Sequence, residues 1–220
     1  MEEQTKTNKS YLVWVSVIII VAIAGVVYFM MKGDEEINNN TNVSTVVTNT
    51  QISNTNTVIT NTATDHIYVH NDFTIVPPAG WLESQIPGTL VSFFNTTEQH
   101  PEDSTAAKIN FKSYLAVSFD TAAIGSTLDS INAKVMQEVE NVVSSSEVVS
   151  VSDEMLINNL PARFSVLNMT MQEVDYRVLI VVLLDQDHQR YYTVTGNTTA
   201  EKWGEYEDAF LKSARSLTIK

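Results

Sequence analysis

From Tyr11 to Met31 the chain reads YLVWVSVIIIVAIAGVVYFMM, twenty-one positions without a charged side chain. Wound as an α-helix at about 1.5 Å per residue, this run is about 30 Å long, which matches the hydrocarbon core of a bilayer. The spacing predicts one membrane-spanning helix over residues 11–31. Tyr11 and Trp14 at one end and Tyr28 at the other fall where amphipathic rings settle at the lipid interface. Lys6 and Lys9 precede the run, whereas Lys32 is followed by Asp34, Glu35 and Glu36, a bias that keeps the N-terminus inside. A cleaved signal peptide is the competing reading, since Ala22 and Ala24 offer the small residues that signal peptidase accepts. The apolar run continues through Val26–Met31, where a mature protein would turn polar, and this favours a retained anchor. Residues 1–10 are then a cytoplasmic tail too short to fold, and whatever the protein does is expected of its exported part.

Residues 32–64 are dominated by Asn and Thr and carry isolated Val and Ile without a helical or strand period, so the expectation is a disordered tether. As a flexible coil it would span about 30 Å. Its N-x-[ST] triplets, such as Asn42-Val43-Ser44, are what an Asn/Thr-rich composition generates by chance.

At Asp65 the texture changes to that of a folded domain, residues 65–220. This part carries ten Lys and Arg against twenty-one Asp and Glu, a net charge of −11. Nucleic-acid binding is excluded by that balance, because phosphate recognition requires clustered cations. An anionic lipid surface would repel the domain, so the only membrane contact expected is through residues 11–31. The chain has no cysteine, which removes disulfides, thiolate metal sites, Cys nucleophiles and lipidated Cys, and suits a bacterial ectodomain.

His66–His70 and Phe73–Val76 read as strands of a hairpin turning at Asn71-Asp72, ended by Pro77-Pro78-Ala79-Gly80. Leu90–Phe94 and Tyr114–Phe119 are further strands. Between Gly125 and Ser144 the period becomes helical, with Leu128, Ile131, Val135, Val139 and Val142 on one stripe, opposite Asp129, Lys134, Glu138 and Asn141. Ser126 is the expected N-cap. Strands follow over Glu147–Met155, Ala162–Met171, Val174–Leu184 and Arg190–Thr195. The seven consecutive apolar residues Val178–Leu184 predict a central strand covered on both faces. A last helix carries Trp203, Tyr206, Phe210 and Ala214, with Thr198 and Glu201 as its capping box. Short turns between most strands predict an α+β domain with a mainly antiparallel sheet.

Several of these segments resemble one family. Phe73-Thr74-Ile75-Val76-Pro77 followed by Trp81, then Val91-Ser92-Phe93-Phe94, Asn159-Leu160-Pro161-Ala162-Arg163, Arg190-Tyr191-Tyr192-Thr193-Val194-Thr195, Phe210 and Ala214-Arg215-Ser216-Leu217 are similar to the PsbP-like superfamily, which the bacterial DcrB-like proteins resemble. The likeness runs from Ile67 to Ile219. Leu217 stands where Phe is usual, and Pro78-Ala79-Gly80 is a looser turn than the family's. The resemblance implies an α/β/α sandwich and a non-catalytic binding or assembly role with a protein partner outside the cytoplasm.

The seven glycines form no G-x-S-x-G, G-x-G-x-x-G or G-x-x-x-x-G-K, and there is no H-E-x-x-H. His66, Tyr68 and His70 on one strand face, with Asp65 and Asp72 nearby, would offer two imidazoles to a metal, but a third ligand on another strand would be needed, and a polar edge strand is the preferred reading. Asp185, Asp187 and His188 resemble the start of an oxygen-ligand loop without its glycine turn or distal Glu. Residues 95–107 (NTTEQHPEDSTAA) form a long polar loop that could border a cleft, and Trp81 and Trp203 are expected in the core. No catalytic, cofactor-binding or metal-ligating residue is therefore assigned, and no cofactor is expected. The other function class is a metal-dependent or hydrolytic ectodomain.

Overall fold

The computed structural model describes residues 66–143 and 145–220. The expected membrane helix, the tether and Asp65 lie outside them. Among the described residues no helix is long and apolar enough to cross a membrane.

The large sheet is organised around β9 (Val174–Asp185), flanked by β8 (Leu160–Met171) and β10 (Arg190–Thr199). Outward from β10 come β5 (Tyr114–Thr121), β4 (Val91–Phe94) and β3 (Leu82–Ser84); beyond β8 lies β6 (Ser145–Val151), and β7 (Met155–Ile157) also pairs with β8. Every pairing is antiparallel. A second sheet joins β1 (Tyr68–Val69), β2 (Phe73–Ile75) and β11 (Thr218–Ile219). The domain is thus α+β with a mainly antiparallel sheet, as the strand and turn pattern predicts.

The apolar run of β9 divides by alternation. Val178, Ile180, Val182 and Leu184 face a core completed by Leu128, Ile131, Val135 and Val139 of α2 (Leu128–Glu140). Leu179, Val181 and Leu183 face a second core with Trp203, Phe210 and Ala214 of α3 (Trp203–Ser216) and with Phe73 and Ile75 of β2. Such a strand needs apolar cover on both sides, and one helix supplies each. Helix α3 comes close to the sheet at Gly196, where a Cβ would lie 2.5 Å from the Phe210 ring.

Several sequence expectations are corrected. Helix α2 is capped by Thr127, not Ser126: Ser130 N–H donates to Thr127 Oγ1 at 3.2 Å, and Thr127 N–H donates to Ser130 Oγ at 3.0 Å. Ser126 is held in the preceding turn by its N–H bond to Ala123 O. Thr198 does not cap the last helix, because β10 continues through it, pairing Thr198 with Arg177 and Thr199 with Tyr176; a 3₁₀ turn at Ala200–Lys202 then leads into α3. The strand expected over Glu147–Met155 is two strands, with Ser152–Glu154 between them. Residues 95–107 contain the start of a short helix, α1 (Thr105–Lys108), capped by Ser104. Glu138 is not on the solvent side of α2 but 8% exposed.

Gly196→Ala is expected to cost about 1–3 kcal/mol, because its Cβ would force the fully buried Phe210 ring to shift; urea unfolding of the purified protein measures this directly.

Candidate functional site

The His66–Tyr68–His70 group does not converge. Strand β1 is only two residues long, so exposed His66 precedes it and His70 follows it. The Tyr68 hydroxyl points to Glu83 Oε1 at 3.4 Å. His70 stacks on Phe73 with ring centroids 4.8 Å apart, and its Nδ1 accepts the Asp72 N–H at 3.2 Å. Among the described residues no group of three or more His, Cys, Asp or Glu is placed to hold a metal ion.

Instead, the two sequence candidates meet through a residue that neither included. Asp185 closes β9 with its side chain 5% exposed, and its carboxylate accepts from His188 Nδ1 at 2.9 Å, His188 N–H at 3.3 Å and Arg190 Nε at 3.2 Å. Arg190 also reaches Asp72 Oδ1 at 3.9 Å and lies over the Tyr192 ring. The backbone N–H of Lys220 donates to Asp72 O at 2.9 Å. The β9–β10 turn, the β1–β2 turn and the end of β11 are thereby clasped at one corner. Asp187 is exposed and takes no part. Burial pushes the Asp185 pKa up, but hydrogen bonds from Arg190 and His188 outweigh it and hold the carboxyl below its ordinary 3.8. With Arg190 neutralised by two carboxylates, this corner fastens loops.

The polar loop folds inward at Glu98, which is 4% exposed. Ser113 Oγ lies 2.9 Å from Glu98 Oε1 and 2.7 Å from Thr198 Oγ1, while Ser113 N–H donates to Oε2. His100 Nε2 donates to Phe111 O at 3.1 Å and stands 3.8 Å from Glu98 Oε2. Serine, histidine and a carboxyl thus share one place, but the acid sits between the other two. A nucleophile needs the imidazole next to the hydroxyl, and a reachable one; Ser113 is fully buried. Beside this loop, Asn95 donates to the Tyr206 hydroxyl at 2.9 Å, and burial together with Glu98 pushes the Tyr206 pKa up to about 12. Trp81 packs edge-on against Tyr206 and Phe210, and Trp203 is buried beneath the Arg177 guanidinium, so both belong to the α3 core.

A third cluster has no sequence signal beyond the charges themselves. Lys134 Nζ bonds Asp120 Oδ2 at 3.2 Å and lies 3.9 Å from Glu138 Oε1; the Tyr191 hydroxyl donates to Asp120 Oδ2 at 3.1 Å. Glu138 Oε2 is buried without a hydrogen-bond partner. Burial raises the Glu138 pKa, Lys134 opposes that, and Asp120 adds to it. Burial and the two carboxyls likewise push the Tyr191 phenol well up.

No family model matches the chain, and no curated protein matches it. Solved structures do. Cyanobacterial PsbP (CyanoP) from Synechocystis superposes with a TM-score of 0.53 at 13% identity, over 70% of this chain and 92% of that one. The fold is PsbP-like. LpqN of Mycobacterium tuberculosis, described as involved in cell envelope biogenesis, is similar with a TM-score of 0.52 at 10% identity, over 70% of this chain and 90% of its own. The PsbP-like resemblance read from the sequence is thus matched at the level of fold.

The two perturbed carboxyls predict opposite pH dependences. Asp185, with its pKa lowered, stabilises the fold above 3.8, and that contribution is lost as pH falls through the folded value. Asp185→Asn should therefore cost roughly 1–3 kcal/mol at neutral pH, with the gap closing in acid. Glu138, with its pKa raised, penalises the fold above its folded pKa and not below 4.5. Glu138→Gln should leave neutral-pH stability unchanged or raise it by about 1 kcal/mol. Denaturant midpoints measured across pH for both variants check the two signs.

Proposed function

We infer that this chain is a single-pass membrane protein with its N-terminus inside. Residues 32–64 tether the domain of residues 65–220 outside the cytoplasm, where it acts as a non-catalytic module that binds or helps assemble a protein partner. The observation that carries this reading is the uncharged apolar run Tyr11–Met31, followed by a polar tether and an acidic, cysteine-free domain. The finer architecture that goes with it is an α/β/α sandwich, supported by α2 and α3 packing in separate cores against opposite faces of β9. A binding role is supported by the PsbP-like fold, shared with a protein of cell envelope biogenesis, and by clusters whose charged groups are spent on one another.

The absence of cysteine makes topology simple to measure. A single Gln186→Cys, at the exposed β9–β10 turn, should react with a membrane-impermeant maleimide on intact cells expressing the full chain. Labelling only after the cells are opened would overturn the assignment. Crosslinking of the same chain in its own membrane should then give a reproducible protein adduct on the domain. No adduct, or hydrolytic or metal-dependent activity of the purified chain, would overturn the binding reading.

A further inference from the structure

Strand β6 is the last strand of the large sheet on the β8 side, and among the described residues nothing pairs with its outer edge. Register against β8 fixes what it presents. Val148 stands opposite Leu167 and Val151 opposite Ser165, while Leu156 of β7 stands opposite Pro161. Leu167, Ser165 and Pro161 alternate along β8, so the three apolar residues share one face, the face on which α2 packs. They are 44%, 50% and 67% exposed, and Val149, at a bulge in β6, is 46% exposed. Open backbone donors and acceptors therefore run beside an apolar row, with neither the Lys nor the Pro that commonly protects such an edge.

The charge around the strand is mainly acidic, and the two nearest cations in sequence, Lys134 of α2 and Arg163 of β8, are paired with Asp120 and Asp129. From Val135 to Ala162 the sequence has five Asp and Glu and no Lys, Arg or His. Four of those acids, Glu140, Glu147, Asp153 and Glu154, are exposed around the strand.

We propose that β6 is the docking edge for an extended segment of a protein partner that carries apolar, β-branched residues at alternate positions and Lys or Arg at its ends. Main-chain hydrogen bonds would add the segment to the sheet, the valine row would take its alternate side chains, and the acidic rim would hold its cations. This rests on the binding-module reading and names the partner's chemistry and seat. Charge separates this occupant from a second copy of the chain, which would bring an equal acidic rim and another −11 domain against the first. The bulge also twists the edge, which opposes long in-register pairing of two identical strands but not a short guest.

The test uses the full chain in zwitterionic detergent with two fluorescent peptides of alternating Thr and Val, one ended by Lys and one by Glu. The Lys-ended peptide should bind, should weaken with added salt, and should bind about tenfold tighter than the Glu-ended one. Val148→Lys and, separately, Leu156→Lys should each weaken it about tenfold while near-UV circular dichroism stays unchanged. Equal binding of both peptides, or binding indifferent to both substitutions, would overturn the proposal, as would a dimer of the full chain that either substitution dissociates. If Val148→Lys and Leu156→Lys still crosslink to the native partner as wild type does, the edge is wrong and the binding-module reading stands. If wild type captures no partner, both fall.

Discussion

Burial of β9 on both faces is the constraint from which the rest of the domain follows. A strand with apolar side chains pointing in both directions cannot sit on a sheet with one wet face, so two separate layers had to be provided by the rest of the chain. Helix α2 and α3 are those layers, and each carries its apolar stripe toward one half of the alternation. Gly196 shows how tightly the second layer is drawn in, since removing even a methyl group's worth of space would displace Phe210.

The elements legible in the sequence are those whose burial imposes a period. Val178–Leu184, the Leu128–Val139 stripe and the Trp203–Ala214 stripe each repeat long enough to be distinguished from composition. Strand β3 is exposed at all three positions and β11 is two residues long, so no alternation marks them, whereas the equally short β1 is read from its hairpin turn to β2. The misread caps share a different cause. Ser126 and Thr127 are adjacent residues of similar capping ability, and the reciprocal Thr127–Ser130 bonds, with the turn bond from Ser126 N–H to Ala123 O, decide between them. Thr198, three residues before Glu201, fits the capping-box pattern, yet it lies fully buried in β10 with Ser113 Oγ as its partner.

The polar clusters were legible as residue types but not as arrangements. His70, Asp72, Asp185 and His188 were all visible as candidates, but their meaning depends on Arg190, which draws the two groups to one corner through contacts with no local sequence signature. Glu98 and Glu138 are similar: a helical or loop position predicts exposure, and long-range packing reverses it. Glu98 is buried where the backbone and hydroxyl of Ser113 meet it, so it joins segments, whereas Glu138 faces Lys134 of its own helix and leaves Oε2 without a hydrogen-bond partner.

The corner at Asp72 also sets an order of events. Strand β2 pairs with β11 at Thr218–Thr74 and Ile219–Phe73, and Leu217 closes the α3 core just before it. The β1–β2 hairpin therefore lacks one neighbour, and the core beneath it one of its covering residues, until β11 is in place. Loss of the segment from Leu217 onward would therefore take away both the second neighbour of β2 and part of the cover over Phe73 and Ile75.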